Sequence, residues 1–103
     1  MIDLIKRQQS QLIQLCLQHH VKSLEVFGSA ANESKFNKVS SDIDFLVEFQ
    51  PLATGTHAGA YFDLLEALEN LFHSPIDLLM VRAIKNPYLL QTINQNRELL
   101  YAA

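Results

Sequence analysis

A chain of 103 residues with a formal net charge of −3 is sized for one domain around one core, expected to span residues 1–103. Its 49% apolar and 18% charged residues are ordinary for a soluble globular protein, and the acidic balance argues against broad electrostatic binding of nucleic acid. Cys16 stands alone and cannot close an internal disulfide, Met1 to Arg7 leads into glutamines and not into a signal peptide, and no apolar run reaches membrane-spanning length. A cytoplasmic protein is the expectation.

Ile5, Leu12, Leu15, Cys16 and Leu17 recur at roughly helical spacing and predict a first helix from about Asp3 to His19. Val21 to Phe27 then reads as a strand ended by Gly28, with a short helix expected directly after Ser29 and a polar loop from Asn32 to Ser41. Asp42 to Phe49 predicts a second strand, stopped by Gln50-Pro51. A glycine-bearing loop, Thr54 to Gly59, leads into a stronger helix whose buried stripe is Tyr61, Leu64, Leu65, Leu68, Leu71 and Phe72. Ser74-Pro75 closes it, and Ile76 to Val81 is a compact apolar strand with one charge, Asp77. Asn86-Pro87 resembles a cap followed by a first-turn proline, so a last helix with Leu89, Leu90 and Ile93 inside is expected, followed by a packed tail of Leu99, Leu100 and Tyr101. Helices alternating with strands define an α/β (α+β) domain with a small sheet of three or more strands flanked by helices.

Three features carry chemistry. A strand that ends in Gly28-Ser29 and enters a helix offers backbone N–H groups and the positive end of a helix dipole to a phosphate; taken alone, such a dipeptide is more often a structural turn. Asp42 and Asp44, two residues apart on a strand, share a face opposite Ile43, Phe45, Val47 and Phe49. Two carboxylates placed so close repel unless a cation lies between them, and hard oxygen donors suit Mg²⁺ or Mn²⁺; charges kept on a solvent-facing edge are the bland alternative. Asp77 is a lone carboxylate in a strand that reads as interior, where it is costly without a cation or hydrogen bonds, or caps the turn after Pro75. If the third strand pairs beside the second, Asp77 joins the other two around one metal site. Two divalent ions about 3.5–4 Å apart would then activate an attacking hydroxyl and stabilise a leaving pyrophosphate.

Gly28-Ser29, then Ser41-Asp42-Ile43-Asp44-Phe45-Leu46-Val47, then Ile76-Asp77-Leu78 resembles the signature of the DNA polymerase β-like nucleotidyltransferase superfamily. The short length and the Asn86-Pro87-Tyr88-Leu89 ending resemble the minimal nucleotidyltransferase (MNT) antitoxins of HEPN/MNT toxin–antitoxin modules. The resemblance implies a nucleotidyltransferase fold with a mixed sheet, ATP as substrate and two Mg²⁺ ions. It gives Gly28 and Ser29 the nucleotide's phosphates, and Asp42, Asp44 and Asp77 the metals and catalysis. It also implies a HEPN ribonuclease toxin as partner, silenced when AMP is transferred to one of its tyrosines. Neutralisation by binding alone, or nucleotide addition to a small molecule or an RNA end, are the alternatives. The family usually carries an arginine shortly after Gly-Ser; here the stretch reads Ala30-Ala31-Asn32-Glu33, which leaves Lys35 or Lys38 to supply that charge.

Overall fold

The computed structural model of the chain describes residues 3–28, 42–51, 57–81, 86–88, 91 and 97–103. The expected first helix is two: α1 (Asp3–Arg7) and α2 (Gln9–Gln18). At Gln8 the backbone N–H turns to the Ile5 carbonyl, 3.1 Å away, a tight i−3 contact that interrupts the α-helical ladder for one residue. Ile5, Leu12 and Cys16 stay buried on one face across this break, whereas Leu17, expected inside, is 59% exposed.

Strands β1 (Val21–Phe27) and β2 (Ile43–Phe49) follow, then α3 (His57–Phe72), β3 (Ile76–Met80) and β4 (Arg97–Ala102). The strand order is β3-β2-β1-β4, with β1 antiparallel to both neighbours and β2 parallel to β3. A parallel pair needs a crossover, and α3 is the helix within it. The sheet is therefore mixed. Its fourth strand is the segment expected to pack as a tail.

Alternation along the strands sets the two faces. Ile43, Phe45, Val47 and Phe49 of β2 join Val21, Leu24 and Val26 of β1, Leu78 of β3, and Leu64, Leu68 and Phe72 of α3 in one core. Phe45 and Phe72 stack at 5.8 Å between ring centroids. Val21 and Leu24 are three apart yet share this face because the β1–β2 register shifts between Val21 and Ser23, a bulge that absorbs one residue. On the opposite face, Phe27, Leu46 and Leu79 form a smaller apolar row. The Tyr61 hydroxyl donates to the Leu78 carbonyl at 2.7 Å and ties α3 to the edge strand.

Both helix ends that face sharp turns use histidine in the left-handed region: His20 with φ 59° after α2 and His73 with φ 51° after α3. His57 and Gly59, expected in a loop, lie in the first turn of α3, and Phe62, beside the buried stripe, is 63% exposed. Pro87, Tyr88 and Gln91 are helical, and the Tyr88 amide is received by the Asn86 side chain at 2.9 Å, as the cap signal predicts. The short helix after Ser29, the loop to Ser41, and Leu89, Leu90 and Ile93 of the last helix lie outside the described residues. Among the described residues no helix is long and apolar enough to cross a membrane.

Candidate active site

The site is built where β1 ends and β2 and β3 begin. β1 runs antiparallel to β2, so its last residue, Phe27, is registered with Asp44 near the start of β2. β3 runs parallel to β2, and its register sets Asp44 against Asp77. Paired residues across a sheet point to one side, so both carboxylates emerge on the face opposite the main core. The sequence condition that β3 pair beside β2 is met, and with it Asp77 reaches the acidic pair.

The three carboxylates differ in setting. Asp44 is half-buried inside β2, whereas Asp42 is exposed and sits one residue ahead of the strand, which begins at Ile43 and not at Asp42. Asp77 is also exposed, because β3 is an edge strand and not the interior one its apolar composition suggested. The desolvation cost expected at Asp77 therefore falls on Asp44. Burial, then the charge of Asp77, then that of Asp42, push the Asp44 carboxyl up to about 6. Two neighbouring acids thus bear on Asp44, the innermost of the three.

Gly28 completes the corner. Its φ of +70° is open to glycine at little cost, and a Cβ at this position would come within 2.7 Å of the Asp44 Oδ2. The Asp44 carboxylate thus lies against the bare glycine backbone, in space that any side chain at this position would need. Ser29, Lys35 and Lys38 lie outside the described residues, as do Arg82 and Lys85.

The donor set suits a hard divalent cation: carboxylate oxygens only, converging in charge on a partly buried aspartate. Among the described residues, no group of three His, Cys, Asp or Glu side chains makes a ready cage for a metal. That is compatible with Mg²⁺, which keeps several waters and is held through one or two carboxylates together with substrate phosphates. Cys16 plays no part. It is buried in the core, with its thiol pushed up to about 12 by burial.

The feature that sequence reading missed is β4. Its first residue, Arg97, is registered with Phe27, which places it at the same end of the sheet as the aspartates. Its guanidinium forks onto Glu25, with Nε donating to Oε2 and Nη2 to Oε1, the latter at 2.8 Å. The segment hid itself because the Leu99-Leu100 doublet breaks the period-two alternation of a strand, and the register shift between Leu24 and Glu25 accommodates it by leaving Leu100 without a partner on β1.

A mixed sheet that gathers aspartates beside a glycine turn at one end defines a nucleotidyltransferase-type α/β domain. The chain belongs to the Polymerase beta, Nucleotidyltransferase family, which it matches over residues 10–103. It is 37% identical over 78 residues to a Methanocaldococcus jannaschii protein assigned by name as a protein adenylyltransferase, covering 76% of this chain and 74% of that one. A second protein of the same organism, assigned likewise, is 33% identical over 76% of this chain and 75% of its own length. Among solved structures, a minimal nucleotidyltransferase superposes with a TM-score of 0.73 at 26% identity, covering 94% of this chain and 95% of that one. The complex of a tri-AMPylated Shewanella oneidensis HEPN toxin with its MNT antitoxin includes a chain that matches with a TM-score of 0.64 at 19% identity, over 95% of this chain and 72% of that one. A toxin–antitoxin structure with AMP-PNP contains another match, with a TM-score of 0.67 at 21% identity over 92% of this chain and 73% of that one. These two likenesses concern the fold.

Proposed function

We propose that this chain is an MNT-type antitoxin that transfers AMP from ATP to a tyrosine of a cognate HEPN toxin in the cytoplasm. The observation that carries the reading is the register of Asp44 with Asp77 beside Gly28, because it sets a carboxylate pair against a bare glycine turn. The assigned activity of the M. jannaschii relatives and the partner in the S. oneidensis complex support a protein acceptor of this kind. The short chain fits a single minimal domain that depends on its partner for the acceptor.

In the reaction, the tyrosine oxygen bonds to the α-phosphorus of ATP, the bond to the bridging oxygen breaks, pyrophosphate leaves, and the phenolic proton is released. Asp42, Asp44 and Asp77 are the residues that would hold Mg²⁺, which supplies Lewis-acid stabilisation of charge at the reacting phosphate. Asp77, exposed on the edge strand, is accessible to an incoming acceptor and would receive or orient its proton. Asp44, raised toward neutral pH, needs the positive charge most. Gly28, without a side chain, exposes backbone to the phosphate chain beside Asp44, and Ser29 adds a hydroxyl donor in this reading.

Labelled AMP should pass from ATP to the toxin in the presence of Mg²⁺, and Asp42→Ala with Asp44→Ala should abolish transfer. Transfer that persists in the double variant would refute the mechanism. Toxin neutralisation that persists without transfer would instead identify masking by binding.

A further inference from the structure

The family's usual arginine after Gly-Ser is absent, yet the structure sets another arginine in line with the site. The register runs Arg97, Phe27, Asp44, Asp77 straight across the four strands, and residues so paired share one face. Arg97 lies two strand spacings, about 10 Å, from Asp44, with only Phe27 between them. Gly28 is the residue after Phe27. Among the described residues, no other lysine or arginine falls in this row: Lys6 and Arg7 are on α1, and Lys22 opens β1 at the far end of the sheet, beside Glu48.

We propose that Arg97 is the residue that grips the phosphate chain of the nucleotide, exchanging its fork on Glu25 for the phosphate oxygens passing over Gly28. The chemistry suits it. A guanidinium presents parallel N–H donors that match a phosphate as well as a carboxylate, and it stays charged throughout. Glu25 lies two residues back along β1, so without nucleotide it holds the fork aside and balances its charge. A nucleotide carrying several negative charges beside three aspartates needs such a cation, and this one waits on the same face. The inference rests on the nucleotidyltransferase reading above and adds to it the source of phosphate affinity.

The test compares binding of a non-hydrolysable ATP analogue and of adenosine, with Mg²⁺, by calorimetry on the full chain. Arg97→Gln should weaken the analogue by about tenfold, the scale of a lost charge-assisted hydrogen bond, and leave adenosine unchanged. Glu25→Gln frees the fork and should tighten the analogue by roughly threefold, while Arg97→Lys should recover part of the loss. If Arg97 only ties β4 to β1, both partners break the same bond, and Arg97→Gln and Glu25→Gln will shift affinity in the same direction. Lys22→Gln removes an equal charge from the far end of the sheet and should change nothing. An effect equal to that of Arg97→Gln would show a general field and overturn the assignment. Wild-type protein that binds no analogue overturns this inference and the functional reading together, whereas binding that ignores Arg97 overturns the inference alone.

Discussion

The two faces of β2 are built from alternate residues of one seven-residue strand, and they obey opposite rules. Ile43, Phe45, Val47 and Phe49 are all buried in the main core. On the other side only Leu46 is buried, in the small row with Phe27 and Leu79, while Asp44 and Glu48 remain half-buried and Asp44 carries a proton affinity that its neighbours raise. One face lowers the free energy of the fold along its whole length, and the other gives part of that up at Asp44 to hold charges together. Neighbours in sequence therefore differ completely in what their loss should do.

The largest effects should separate Asp44 from Phe45. Asp44→Asn should reduce AMP transfer by roughly 10³-fold or more, about 4 kcal/mol of lost transition-state stabilisation, with the far-UV spectrum unchanged. Phe45→Ala removes a fully buried ring stacked on Phe72 and should destabilise the fold by about 3–5 kcal/mol in denaturant titrations. Equal loss of stability in both variants would break the comparison. Next in size, Gly28→Ala forces a Cβ toward Asp44 Oδ2 at a positive φ, and should cost about 1–3 kcal/mol while weakening nucleotide binding.

The acidic face should also betray itself through pH. The Asp44 carboxyl rises from its ordinary 3.8 to about 6 in the folded protein. Between those values the folded state binds more protons than the unfolded one, so stability falls as pH rises through the window and stays lower above it. Asp44→Asn should therefore raise the melting temperature at pH 7–8 by the equivalent of about 1 kcal/mol after solvent screening, and lose that advantage below about pH 4. The smallest effect belongs to the helix ends. His73→Gly relieves a left-handed residue and should stabilise by about 0.5–1 kcal/mol, read as a small rise in the urea midpoint.

Much of the site was legible because its signals are local. The spacing of Asp42 and Asp44 and the glycine after a strand are statements about neighbours in the chain. Asp77 was legible as an odd charge, but its exposure was not, since strand order decides which strand is an edge and composition does not. Leu17 and Phe62 show the same limit: an apolar residue at a plausible helical position is buried only if another element arrives to cover it. Arg97 was wholly hidden. Its placement depends on pairing with Phe27 some seventy residues earlier, and the Leu99-Leu100 doublet erased the alternation that would have announced a strand.

The edge position of β3 has a consequence for scale. Asp77 lies on the perimeter of the sheet and is exposed, so an acceptor can approach from the side instead of passing through an opening of fixed width. What limits the size of the acceptor is then the shape of its own surface around the hydroxyl. Under the proposed function, the surface of a folded partner would form the open wall of the site beside Asp77.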